Sequence, residues 1–163
     1  MKKTYVIDTN VLIQNPDALH CFEDNNLILP LVVVEELDGL KKNEGENGSN
    51  ARSAVRILES YRNKGDLLKG VKLEQGGTLL IEKNFKDVEL PPDLPEDKAD
   101  NRILKVCLGL FQQRKRGQQI VLVTKDIVLR LKAQILGLRA EDFTTEQISE
   151  DDNRYPGRSQ AYI

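Results

Sequence analysis

Four carboxylates, Asp8, Glu36, Asp100 and Asp126, stand where a strand pattern ends or a helix pattern begins. Gathering them is electrostatically costly, since a like-charge pair about 4 Å apart opposes itself by on the order of 4 kcal/mol at an effective dielectric near 20. Such a cluster persists if a divalent cation screens it or if some members hold a proton. Oxygen donors without His or Cys suit Mg²⁺ or Mn²⁺, which keep several waters. Two such ions about 3.5–4 Å apart activate a water and stabilise the leaving oxygen of a phosphodiester. Each acid alone has a plainer role. Asp8 and Asp126 could cap helices. Glu36, beside Glu35, could face solvent, and Asp100 could answer a helix dipole. Asp17, Asp38, Asp97 and Asp142 show that acids are common here, so position carries the argument. Asp142 is either a further acid at the rim or part of a solvated turn.

Positioning these acids falls to alternating strand and helix patterns, the signature of a parallel sheet covered on both faces. Tyr5-Val6-Ile7 reads as a buried strand that stops on Asp8-Thr9-Asn10, and the carboxyl ends of such strands are where ligands bind. Asn15-Pro16 opens a short helix through Phe22. Leu27 to Pro30 is a second strand, followed by a helix running through Leu40 to Lys42 that carries Glu36. Asn43 to Asn50 is polar and Gly-rich, and is expected to be a mobile loop. From Ala51, the residues Ala54, Val55, Leu58 and Tyr61 continue an inward helical stripe, with Arg52, Arg56 and Glu59 on another. Thr78 to Ile81 is a third strand candidate, and 84–97 an irregular, Pro-rich connection. The helix from Asp97 to Gln113 turns Ile103, Leu104, Cys107, Leu108 and Phe111 inward and carries Asp100 in its first turn. Gln119 to Thr124 is a strand, Ile127 to Leu136 a helix, and Leu138 to Ala140 a short last strand. Strand ends and helix starts share one edge of a parallel sheet, so the four acids can converge there.

The chain has 163 residues, 39% of them hydrophobic and 31% charged, which suits one soluble domain with a real core. No apolar run approaches the roughly 18 residues of a membrane span, and no signal peptide opens the chain. Cys21 and Cys107 fit reduced thiols and a cytoplasmic location better than a disulfide framework. One His and two Cys argue against a zinc site, and a Ser-His-Asp triad would rest on His20 in a polar turn. The net charge of −2 speaks against a basic glove for duplex DNA, while leaving room for local basic patches.

The ordered set Asp8-Thr9-Asn10, Val34-Glu35-Glu36-Leu37, Ala99-Asp100-Asn101-Arg102-Ile103-Leu104 and Thr124-Lys125-Asp126 resembles a PIN domain over about residues 3 to 145. It is similar to the subgroup fused ahead of a PhoH-type ATPase, in which the Leu31 to Asp38 stretch, the Asn50 to Ala54 helix start and the Gly76-Gly77-Thr78-Leu79 strand entry also recur. The resemblance implies a three-layer α/β/α fold with a central parallel sheet, and a metal-dependent ribonuclease acting on single-stranded RNA. It gives Asp8, Glu36, Asp100 and Asp126 the metal-binding acidic positions, and Asn10 and Thr124 the polar supporting ones. Asp8 and Asp100 are expected to hold the principal Mg²⁺ or Mn²⁺, with Glu36 and Asp126 completing the site or orienting water. Residues 1–147 form the expected nuclease domain, and the polar tail 148–163 a linker towards an ATP-binding ATPase domain.

Arg52 and Arg56, four apart on one helix face, are the expected contacts for RNA phosphates; the plainer reading is surface charge or pairing with Glu59. Four Tyr, four Phe and no Trp offer little for base stacking, so contacts should fall on the backbone. Three rival readings stand. A phosphatase of the haloacid-dehalogenase type wants a second Asp two residues after Asp8, where this chain has Asn10. A free-standing VapC-type toxin would need an antitoxin, and the linker-like tail speaks against it. A catalytically weak RNA-binding or oligomerising module, such as a homo-oligomer, would leave the acids vestigial.

Overall fold

The computed structural model describes residues 2–83 and 87–143; the expected linker lies outside them. Strands β1 (Thr4–Ile7), β2 (Asn26–Pro30), β3 (Val71–Lys72), β4 (Thr78–Glu82), β5 (Ile120–Val123) and β6 (Arg139–Glu141) form one sheet in the order β3-β4-β2-β1-β5-β6. Every residue of β1 and of β5 is buried. That is what a strand covered on both faces requires, and it explains their unbroken apolar runs. Their register pairs Thr4 with Ile120 and Ile7 with Val123, in parallel. On the other side of β1, Tyr5 pairs with Leu27 of β2, also in parallel.

Helices α1 (Thr9–Gln14), α2 (Leu31–Leu40), α3 (Gly45–Arg62), α4 (Ala99–Gln113) and α5 (Ile127–Ile135) cover the sheet in the three-layer α/β/α arrangement. Leu12, Leu29, Leu37, Ile103 and Leu104 are fully buried or within 1% of it, so the core is continuous from β1 and β2 to α4. Truncating any one of them to Ala leaves a cavity costing about 2–5 kcal/mol. No described helix is long and apolar enough to cross a membrane.

Three details differ. First, the central parallel sheet takes one antiparallel strand at its edge: β3 runs antiparallel to β4. The two are joined by a tight turn in which Gly77 has φ +70°, and a Cβ there would lie 1.9 Å from the Asn25 carbonyl oxygen. A parallel crossover needs a dozen or more residues, and this connection has too few. Second, the helix opened at Asn15-Pro16 is a short 3-10 turn, Pro16–His20, capped by the Asn15 side chain on the Asp17 N–H at 3.0 Å. Helix α1 precedes it and begins directly after Asp8. Third, Asn43 to Asn50 is not a loop, because α3 starts at Gly45. Its poor helix formers are offset by tertiary contacts. The Asn50 side chain donates to the Ile13 carbonyl at 2.6 Å. Gly48 packs so closely on the Asn43 carbonyl that a Cβ would stand 1.8 Å from its oxygen.

Candidate active site

The chain leaves β1 for β2 on one side and later adds β5 on the other, so a crevice opens at the carboxyl end of β1. Asp8 sits there. Its N–H extends the β1–β5 ladder to the Val123 carbonyl at 3.0 Å. One carboxylate oxygen accepts from the Thr9 N–H and the other from the Thr124 hydroxyl, each at 2.6 Å. Asp8 therefore caps α1 and also faces the crevice. It is only 6% exposed. Burial, and next to it the charges of Glu36 and Asp126, push its carboxyl up to about 6, against the lowering pull of the two hydrogen bonds.

Thr124, fully buried after β5, is the hub of the polar network. Its hydroxyl donates to Asp8 and accepts from the Asn10 amide at 3.3 Å and the Asp126 N–H at 3.1 Å. The Asn10 carbonyl oxygen in turn accepts from the Lys125 N–H at 3.0 Å. Asp126 is the N-cap of α5, accepting from the Val128 N–H at 2.9 Å. Glu36, one turn into α2, accepts a hydrogen bond from the Thr9 hydroxyl at 2.5 Å. Asp100, in the first turn of α4, lies 3.0 Å from the Lys132 ammonium. The loop before it is braced by Arg102, whose guanidinium donates to the Glu96 and Asp97 carbonyls at 3.0 and 3.2 Å.

Asp8, Thr9, Asn10, Glu36 and Asp100 share the walls of one cavity of about 240 Å³, completed by Ile13, Leu40 and Ile103. Asp126 is not one of its walls and acts on it through Thr124 and through charge. Among the described residues no three His, Cys, Asp or Glu side chains are gathered into a ready-made metal cage. The donors still fit a hard divalent cation held partly through water. All are oxygens, and the Asp8 carboxyl is pressed upward first by burial and then by neighbouring charges, which a cation would offset.

Asp142 pairs with Lys125 and Arg130 at 3.4 Å each and stands outside the cavity. His20 contacts the Tyr61 hydroxyl at 2.8 Å and is likewise no part of its walls. Arg52 turns one guanidinium nitrogen onto the Lys41 and Asn43 carbonyls at 2.7 and 3.2 Å, bracing the α2–α3 junction. Arg56 is exposed. Sequence reasoning missed two residues of the site. Thr9 counted only as an oxygen near a strand end, and its link to Glu36 spans 27 positions. Lys132 is not singled out in the sequence at all; its only local signal is its neighbour Ala133, fully buried on α5.

A mostly parallel sheet with carboxylates converging past its central strand is the arrangement of an α/β domain built around an acidic site. The PIN domain family profile matches residues 5–144, and the chain belongs to that family. It is 41% identical over 167 aligned positions to Protein PhoH2 of Bacillus subtilis, an alignment covering 100% of this chain and 38% of that protein. Protein PhoH2 of Thermobispora bispora is 37% identical, over 91% of this chain and 33% of its own length. The chain thus spans about a third of the length of the curated relatives it matches. Among solved structures, the Trypanosoma brucei RRP44 PIN domain aligns with TM-score 0.55 at 13% identity, covering 93% of this chain and 82% of that one. A PilT N-terminus domain protein from Sulfolobus solfataricus also gives 0.55, at 12% identity over 96% and 99% of the two chains. These two likenesses concern the fold.

Proposed function

We propose that this chain is the nuclease domain of a longer PhoH-like protein and cleaves single-stranded RNA internally with Mg²⁺ or Mn²⁺. PIN domains are in general nucleases. The observation that carries the reading is Asp8: a buried carboxyl at the end of the central strand, sharing a cavity with Glu36 and Asp100 and pushed up to about 6.

A bound divalent cation would supply an activated water and charge compensation for the leaving oxygen. Asp8 and Asp100 would hold it, with Glu36 and Asp126 completing the site or orienting water. The chain's own contribution is rigidity. Two hydrogen bonds fix the Asp8 carboxylate, and Thr9 fixes Glu36, so neither has to reorganise as charge develops on the phosphate. Above pH 6, Asp8 is mostly ionised and fit to bind a cation.

Arg52 and Arg56 would meet backbone phosphates, Arg56 with its exposed guanidinium and Arg52 with the nitrogens not engaged on carbonyls. The scarcity of aromatic residues supports recognition through the backbone rather than by stacking. The length of the PhoH2 relatives supports a further domain in the parent chain; we read that domain as an ATP-binding ATPase and the protein as cytoplasmic. The test is an end-labelled single strand, as RNA and as DNA, incubated with Mg²⁺, Mn²⁺ or chelator. Internal cuts in RNA that need the cation are expected; equal cutting in chelator would refute the metal role.

A further inference from the structure

Of the four acids, Asp100 alone has an ion-pair partner among the described residues: the Lys132 ammonium, 3.0 Å from its carboxylate. The same ammonium donates at 3.1 Å to the side-chain oxygen of Asn101, a residue with no exposure at all. Asn101 is itself fixed, its amide donating to the Pro95 carbonyl at 2.8 Å. On α5, Leu129 and Ala133 are fully buried, so the helix that presents Lys132 is anchored against the core. The lysine side chain is only 20% exposed. An ammonium held between two oxygen acceptors in a largely covered socket is a defined position, unlike a surface pair that exchanges freely with water.

We propose that Lys132 is a tethered counter-cation: it neutralises Asp100 in the metal-free domain and competes with a divalent cation for that carboxylate. The inference rests on the metal-site reading of Asp8 and Asp100 given above. Without a cation, Asp8 and Glu36 already share the cavity with no ion-pair partner among the described residues, and the ammonium spares it a further uncompensated carboxylate. For a cation to take the Oδ2 that Lys132 holds, the Nζ–carboxylate contact must lengthen or break, while Asn101 keeps one acceptor for the released ammonium. Lys132 thereby sets the cation concentration at which the site fills. It is a positioning residue, acting on the cation only through Asp100.

The experiment is calorimetric titration of the metal-free chain with Mn²⁺, for wild type, Lys132→Met, Lys132→Gln and Asp8→Asn, with a thermal melt of each to establish folding. Removing a charged competitor of this kind should tighten Mn²⁺ binding roughly tenfold in Lys132→Met. Lys132→Gln, which keeps a donor near both oxygens without the charge, should shift the same way, and it decides the matter if the Met variant does not fold. Asp8→Asn should lose the binding. If both Lys132 variants bind Mn²⁺ as wild type does, or more weakly, while Asp8→Asn still loses it, the competition is refuted and the metal site stands. If wild type takes up no Mn²⁺, or Asp8→Asn binds it as well as wild type, the metal-site reading falls and this inference with it.

Discussion

The Thr124 hydroxyl has three partners, Asp8, Asn10 and Asp126, all of them residues of the proposed site. Thr124→Val would keep the shape and strand that network, costing about 1–3 kcal/mol of stability for buried groups left unpaired. Because the Thr124 hydrogen bond lowers the Asp8 carboxyl, its loss would also move the acid limb of the cleavage profile to higher pH; Thr124→Ser should restore both. Asp8 itself gives a second prediction with a definite sign. Its carboxyl holds a proton more tightly in the folded chain than in the unfolded one, so the native state binds more protons between about pH 4 and pH 6. Stability of the metal-free protein therefore falls as pH rises through that window, and the cost persists at neutral pH. A displacement to about 6 corresponds to about 3 kcal/mol, and the amide of Asp8→Asn is a poorer acceptor for Thr124. The expected outcome is that Asp8→Asn stabilises the metal-free chain by about 1–2 kcal/mol at pH 7.5 and hardly at all at pH 4, read by denaturant melts.

Helix α3 shows what the elements owe to contacts that a local pattern does not contain. Gly45, Gly48 and the Asn residues between Asn43 and Asn50 read as a loop, since each disfavours helix. The Gly48 approach to the Asn43 carbonyl, the Arg52 brace and the Asn50 bond to Ile13 reverse that preference. Gly48→Ala should accordingly destabilise by more than about 2 kcal/mol, although alanine is the better helix former; a gain in melting temperature would contradict this account of α3. The two central strands, and the apolar stripes of α3 and α4, were legible because periodicity is local. Hairpin β3–β4 was not, since β3 has two residues and its turn is defined by the fit of Gly77 against Asn25. Among the site residues, Asp8, Glu36 and Asp100 could be placed at one sheet edge from chain order, and they share one cavity. Lys132 could not be placed, because its 32-residue separation from Asp100 is bridged only when α4 and α5 pack.

At the scale of the whole molecule, a parallel α/β sheet concentrates its strand ends on one edge, and this chain puts its buried carboxyl there. The helices that follow β1, β2 and β5 each begin near that edge, so α1, α2 and α5 deliver Asn10, Glu36 and Asp126 without any long loop. Helix α4 brings Asp100 from the far side of an irregular connection, which explains why Arg102 and Asn101 both tie that helix back to the residues preceding it. The outward face of α5 leaves Ile127, Leu131 and Ile135 exposed, so its apolar sequence reports less about the core than that of α4 does. The central claim is that the edge around Asp8 cuts RNA. It is tested most directly by comparing wild type with Asp8→Asn on one labelled single-stranded RNA with Mn²⁺, both shown to be folded by their melts. The account predicts internal cleavage by wild type and a loss of about a hundredfold or more in the variant; cleavage by Asp8→Asn at the wild-type rate would contradict it.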